Sequence, residues 1–270
     1  MSKADLRGPS ADALDALGER LEGISGNDAA ALGEDLFGVA TVLRAEPGLR
    51  RVATDVSTDS AAKSGLLRQI LDGKVSAPAL DLVADAVERR WTRTRDLADA
   101  LEHLAVLALV SSAGDDADRL SDELFAVEQL INEQHDLRTA LSDPARSGPD
   151  KSRLLRDLLD GKTLPATQRL AQQALTGSHR SVTVAIEEYQ KIAADAHNQR
   201  VAEVRVAQEL SGDEIDRLQA ALSNQYGRTV HLNVVLDTEI IGGMRVEIGD
   251  DVIDGTVSGK LDDARRRLAG

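Results

Sequence analysis

The chain has 270 residues, of which 42% are hydrophobic and 29% are charged, a composition that excludes a disordered tail or a fibre. Its 46 acidic residues outnumber its 32 basic residues, and the resulting formal charge of −14 disfavours general binding to nucleic acid or to an anionic membrane surface. The absence of cysteine excludes disulfides, thiolate metal sites and cysteine nucleophiles, and five aromatic residues are too few for a base-stacking surface.

No segment of the sequence has the pattern of a signal peptide or a membrane helix. The first ten residues contain no apolar stretch, and the longest apolar run, residues 104–110, is far shorter than the roughly 20 residues of a membrane-spanning helix. We therefore expect the protein to meet a membrane only indirectly, through partner subunits.

Helices are predicted from Ser10 to about Asn198, where apolar residues recur every three or four positions, as in Leu14, Leu17 and Leu21. Segments rich in glycine, proline and aspartate interrupt this pattern and are predicted to separate the helices. These segments are residues 26–28, 46–48, 72–74, 114–116, 144–149, 160–162 and 177–178.

The helical region is similar to itself after a shift of 88 residues. Leu-Asp-Gly-Lys at residues 71–74 falls on the same tetrapeptide at 159–162, and 12 of the 26 positions from 49 to 74 are identical to their counterparts. A leucine-rich composition alone does not produce two matching helix ends, so we predict a duplicated helical module of about 88 residues. The predicted modules are residues 1–104 and 105–197.

The junction between the two modules allows two interpretations. The apolar pattern of residues 92–110 predicts one long helix that is both the last helix of the first copy and the first helix of the second. A break near residues 93–95 is the alternative, and it would leave two bundles free to swivel.

The periodicity changes after Asn198, and residues 198–270 are predicted to form a small mixed α/β domain. Residues 201–206 alternate as in a half-buried strand, and Ser211 and Glu214 form a capping box before a helix. Further strands are predicted at residues 230–236, 244–248 and 252–253, and a closing helix at 258–268. The predicted fold class is therefore α+β, with two tandem helical bundles followed by this domain.

The histidines, the acidic residues and the glycine-rich segment of the sequence match no catalytic, metal-binding or phosphate-binding motif. The five histidines follow no metal-binding motif, and no pair of carboxylates is set apart as an acid and a base. The segment from Gly255 to Leu261 differs from a phosphate-binding loop, because three residues instead of four separate its glycines and a leucine replaces the magnesium-binding hydroxyl. We predict no catalytic residue, no metal and no cofactor.

The segment from 236 to 261 resembles the C-terminal signature of the delta subunits of F-type ATP synthases, the bacterial counterparts of the mitochondrial oligomycin-sensitivity-conferring protein. That signature has an apolar residue before a small-glycine pair, then a strand, then Gly-Asp. Ile-Asp-Gly-Ser-Val follows, and an Arg-Leu pair begins a helix. Thr256 in place of serine and Lys260 in place of arginine are the departures. The matching positions are Ile241, Gly242, Gly243, Gly249, Asp250, Ile253, Asp254, Gly255 and Lys260.

The resemblance implies a non-catalytic subunit of the peripheral stalk, on the cytoplasmic side of the cell membrane. In the family, the helical domain holds N-terminal helices of the alpha subunits and the C-terminal domain holds the b subunit, so that the stator resists the torque of the rotor. A usual bacterial member has one helical module, so residues 1 to about 96 are expected to be an extra copy, as in a longer actinobacterial form.

Two other classes of function remain as alternatives. The first is a free-standing helical-repeat adaptor whose mixed domain only dimerises. Co-purification with other subunits distinguishes the ATP synthase subunit from this adaptor. An enzyme is the second, and it requires a polar cleft with a perturbed acid and base, for which the sequence offers no candidate.

Overall fold

The computed structural model describes residues 6–21, 24–196, 199–226, 229–237, 240–248 and 251–257. The chain divides into two compact units, Met1–Ala193 and Ala194–Gly270. The first is helical and the second combines a sheet with helix, which confirms the predicted α+β fold class. The division falls four residues before the predicted start of the mixed domain at residue 198.

Helices account for most of the first unit, and several begin where the sequence supplies a cap. Asp59 accepts a hydrogen bond from the Ala62 N–H (3.1 Å), and Ser147 accepts one from the Asp150 N–H (3.2 Å). The helices are α1 Pro9–Gly18, α2 Gly26–Ala45, α3 Pro47–Thr54, α4 Ser60–Leu71, α5 Ala77–Glu88, α6 Asp96–Ser112, α7 Ala117–Glu133, α8 His135–Ser142, α9 Gly148–Leu159, α10 Pro165–Gln173 and α11 Val182–Ala196.

The helix boundaries repeat with the 88-residue shift found in the sequence. The starts of α3, α4 and α5 at residues 47, 60 and 77 correspond to those of α8, α9 and α10 at 135, 148 and 165. Helices α3 and α4 also have the same lengths as α8 and α9. The two copies therefore have the same helix order in this part of the chain.

Individual interactions recur with the same shift. The Ser76 N–H donates to Asp35 (2.8 Å), and the Leu164 N–H donates to Glu123 (2.7 Å), so the start of the fifth helix of each copy is bound to the second. Both Gly73 and its counterpart, 88 residues later, have a φ of +66°. This left-handed conformation ends the fourth helix of each copy and favours glycine.

Helix α6 belongs to both copies. Fourteen of its 17 residues are buried, because α1, α2, α3 and α5 pack on it from the first copy and α7 and α10 from the second. It begins at Asp96, whose carboxylate accepts from the Ser10 hydroxyl (2.8 Å) and from the Arg93 N–H (3.1 Å). The predicted module boundary at residues 104 and 105 lies inside this helix, and one continuous core extends through both copies.

The second unit contains a four-stranded sheet. Strand β1, Gln199–Val206, pairs in parallel with β2, Thr229–Leu236, and the connecting helix α12 is Gly212–Tyr226. Strand β3, Met244–Ile248, is antiparallel to β1 on its other side, and β4, Asp251–Asp254, is antiparallel to β3. All four predicted strands and the predicted helix after Ser211 are confirmed. The predicted closing helix at 258–268 lies outside the described residues.

The sheet separates an apolar face from a polar one. Ala202, Val204 and Val206 of β1 are buried with Val246 and Ile248, and α12 contributes Leu222 to the same core. The intervening positions are charged, and Arg205 forms an ion pair with Glu203 (2.7 Å) on the opposite face. This alternation follows from the two-residue period of a strand.

Candidate functional site

The signature residues form a closed turn at the start of β3. Gly243 has a φ of +85°, and a Cβ atom added to it would lie 2.4 Å from the Gly255 carbonyl oxygen. The Gly255 N–H donates to the Met244 carbonyl (2.9 Å), and the Val257 N–H donates to the Gly242 carbonyl (2.9 Å). Both the backbone conformation and the space at residue 243 therefore require glycine.

Asp254 fixes the chain that follows β4. Its Oδ1 accepts hydrogen bonds from the Thr256 hydroxyl (2.6 Å) and the Thr256 N–H (2.9 Å). The hydroxyl bond, followed by the backbone bond, lowers the pKa of the Asp254 carboxyl. Threonine supplies the hydroxyl that serine supplies in the family signature, so this departure preserves the turn.

Apolar side chains of the same segment are exposed. Ile241 is 86% exposed, and Val252, Ile253 and Val257 are exposed as well. We call these four residues the signature surface. Exposed apolar groups on an edge strand and the adjoining turn are typical of a contact surface for another protein.

The structure brings most of the predicted signature residues together. Ile241, the glycine pair, Ile253, Asp254 and Gly255 all lie at the β3 and β4 edge of the sheet. Gly249, Asp250 and Lys260 lie outside the described residues.

A buried cluster of polar side chains joins the two helical copies. Arg44, at the end of α2, donates from Nη2 to Asp99 (3.1 Å) and to Glu102, both on α6. Glu102 also accepts from the Ser178 N–H (3.1 Å) and from the Tyr189 hydroxyl (3.1 Å) of α11. We call this set the Glu102 cluster. It binds α2 of the first copy to α11 of the second through the shared helix.

The charges of the Glu102 cluster are mutually stabilised. Burial alone would raise the pKa of Glu102, but Arg44 and the hydrogen bonds from Ser178 and Tyr189 outweigh it and lower this pKa. Burial, followed by the adjacent Glu102 carboxylate, raises the pKa of Tyr189. The cluster therefore contains an ionised carboxylate and a neutral phenol at neutral pH.

The Glu102 cluster has no motif in the sequence. Its local signal is weak, because Asp99 and Glu102 are two of several polar residues in the first half of a mostly apolar helix. The arginine that pairs with them is 58 positions away from Glu102, and no spacing rule connects the two.

The two copies also meet beside α10. The Arg169 guanidinium pairs with Glu34 (2.5 Å) and lies 4.8 Å from the centroid of the Phe37 ring. A groove of about 500 Å³ runs between α2 and α10 at this point. It is lined by Glu34, Phe37, Gly38, Thr41, Ser152, Arg169, Gln172, Gln173 and Thr176.

The described residues meet the requirements neither of a metal site nor of a single membrane-spanning helix. Within them, no group of three or more His, Asp or Glu side chains is arranged to hold a metal ion. No single helix among the described residues is long and apolar enough to cross a membrane. The two helical segments Asp96–Ser112 and Gly114–Glu133 together have sufficient length and apolar composition, but they are bent by 105° relative to each other.

Comparison with known proteins identifies close relatives. The family model "ATP synthase delta (OSCP) subunit" matches residues 104–268. A protein named ATP synthase subunit delta from Nocardioides sp. is 58% identical, covering 99% of this chain and 98% of its own length. One of the same name from Streptomyces coelicolor is 40% identical, with 98% of each chain covered. These relatives extend over both helical copies.

A solved structure also matches at low similarity. A chain in the cryo-EM structure of the Toxoplasma gondii mitochondrial ATP synthase hexamer covers 79% of this chain and 98% of its own length, with 18% identity and a TM-score of 0.33. A TM-score this low does not support any conclusion about the fold or function of this chain. The family model and the two full-length relatives are sufficient, and the chain belongs to the ATP synthase delta (OSCP) subunit family.

Proposed function

We propose that this chain is a non-catalytic strut of the peripheral stalk, with alpha-subunit N-terminal helices bound to its helical unit and the b subunit bound to its mixed unit. Membership of the peripheral stalk follows from the family. The division of partners is supported by one observation above all, which is that the chain forms two separately packed units with separate cores.

The helical unit has the properties that a rigid partner of the catalytic head requires. Because α6 is shared and the Glu102 cluster crosses it, the copies form one core with no linker between them. Closely packed interiors have low compressibility and transmit strain. Amphipathic helices also provide grooves in which a partner's helix binds by its apolar face.

The mixed unit offers the signature surface to the b subunit. Ile241 and its exposed neighbours are apolar, and an amphipathic helix of the partner would cover them. We place the assembled protein on the cytoplasmic side of the cell membrane, held there by its partners. In this proposal residues 1–104 are an extra helical module, residues 105–197 are the family's helical module and residues 198–270 are its C-terminal domain.

Truncation after Asn198 tests the assignment of the partners. We expect residues 1–198 to retain their helicity by circular dichroism and to bind a peptide from the alpha N-terminus, since their core lies within the first unit. The fragment should lose binding to the b subunit in a pull-down, which the full chain retains. Retained b binding would show that the partners are assigned to the wrong units.

A single substitution tests the signature surface. Ile241→Asp should weaken binding to the b subunit at least tenfold, because it removes an apolar contact and places a charge in an apolar interface. Because the Ile241 side chain is exposed, the variant should have the same melting temperature as the wild type. Val56→Asp, at a site 74% exposed in the helical unit, is the matched control and should leave b binding unchanged. Equal effects of the two substitutions would contradict the assignment.

A further inference from the structure

An open cavity of about 400 Å³ lies in the second helical copy, beside α8, α9 and the start of α11. Apolar surface comes from Ile131, Leu141, Ala174, Leu175 and Val182, and the other lining residues that the structure describes are polar or charged. Neither the signature surface nor the groove between α2 and α10 includes these residues.

The charge of the cavity is opposite to that of the protein. Arg138, Lys151 and Arg180 line it together with His179, and none of the described residues in the lining is acidic. The chain as a whole has a formal charge of −14. Three cationic side chains around one space, without a carboxylate among them, attract an anion.

The first turn of α11 adds to this attraction. The Ser181 hydroxyl caps the helix by accepting from the Val184 N–H (3.3 Å), and Ser181 and Thr183 both line the cavity. The N-terminus of a helix has a partial positive charge, and hydroxyl groups donate to anionic oxygens.

The internal repeat has larger or more deeply buried side chains at the equivalent positions of the first copy. Trp91 is the counterpart of His179, 88 residues earlier; it is 7% exposed, and its indole N–H donates to the Ala86 carbonyl (2.8 Å). Lys63, the counterpart of Lys151, is 4% exposed, whereas Lys151 is half-buried. The first copy therefore has a buried indole at the position where the second copy has a smaller imidazole that lines the cavity.

We propose that this cavity binds a small phosphate-bearing anion, either inorganic phosphate or a phosphate monoester with a short aliphatic body. Guanidinium groups pair with phosphate through two hydrogen bonds, and lysine provides a point charge. The apolar part of the lining contacts the aliphatic body. The part of the lining that the structure describes has no Phe, Tyr or Trp side chain on which a nucleobase would stack, so a nucleotide is disfavoured.

Calorimetric titration of the full chain at constant ionic strength tests the site. We expect saturable binding of inorganic phosphate and tighter binding of glycerol 3-phosphate, with chloride as the reference anion. Co-sedimentation with phosphatidylcholine vesicles, with and without phosphatidic acid, distinguishes a lipid headgroup from a soluble phosphate. Saturable binding in either arm supports the site, and binding in neither arm overturns it.

Three variants make the test specific. Lys151→Gln should weaken binding by about tenfold, the effect of losing one charge-assisted hydrogen bond. His179→Trp should abolish binding because it places in the cavity lining the larger side chain that the first copy has at this position, and circular dichroism reports whether the variant folds. Arg153→Gln is the matched control, since it removes a charge from the same helix outside the cavity. An equal loss in Arg153→Gln and Lys151→Gln would overturn the proposal, because it would show only general attraction by surface charge.

Discussion

Arg44→Met should lower the free energy of unfolding of the helical unit by about 3 kcal/mol, because it leaves the buried Glu102 carboxylate without its cation. The value is at the lower end for a buried pair, since the Arg44 side chain is 23% exposed. Urea unfolding of the full chain followed by circular dichroism measures it. Arg153→Met, which breaks an exposed pair with Asp150, should cost less than about 0.5 kcal/mol. Equal losses would show that the Glu102 cluster does not stabilise the junction.

The same comparison has a predicted pH dependence. The folded-state pKa of Glu102 is lowered, so its contribution to stability is complete above the unfolded pKa, near 4.5, and is lost as the pH falls through the folded value. The stability difference between wild type and Arg44→Met should therefore narrow below about pH 4.5. A difference that stays constant through this range would contradict the ionised state of Glu102.

The elements that the sequence predicts well are those with local signals. The Asp-Gly pairs at 72–73 and 160–161 end helices because glycine adopts a positive φ there, and the repeat of this pair predicts both helix ends. The strands were recognised because Val204 and Val206 alternate with charged residues. The signature glycines were recognised by family resemblance, and the structure supplies the reason for one of them, the close approach to the Gly255 carbonyl.

The features that were missed depend on contacts between distant residues or on weak breaks. Residue Gln134 separates α7 from α8 without glycine or proline, so the helical pattern continues through it. The tertiary packing of the helices brings Arg44 to Glu102, which no local pattern predicts. The same packing places His179, the counterpart of Trp91, in the lining of the cavity. A helix used by two bundles is predicted by a long apolar pattern, but the way both copies cover it is a property of the tertiary fold.

The two units differ in how they resist deformation. In the helical unit, rigidity comes from a continuous core and a buried charge cluster at the junction of the copies. In the mixed unit, the turn that supports the signature surface depends on a glycine held by two flanking hydrogen bonds. Substitutions in the Glu102 cluster should therefore lower the stability of the junction between the copies. Substitutions in the turn should remove the signature surface.

Gly243→Val should unfold or severely destabilise the mixed unit, by about 4 kcal/mol or more, since it combines a positive φ with a collision at a backbone oxygen. Because the collision begins at Cβ, Gly243→Ala should cost nearly as much. Thermal unfolding of the full chain should then show early loss of the sheet signal, loss of b binding and retained binding of the alpha peptide. Gly212→Val is the matched control, because no atom of the same unit lies within 4 Å of its added Cβ, and the backbone there is not left-handed. A Gly243→Ala variant as stable as the wild type would show that neither the φ nor the Gly255 contact holds this turn.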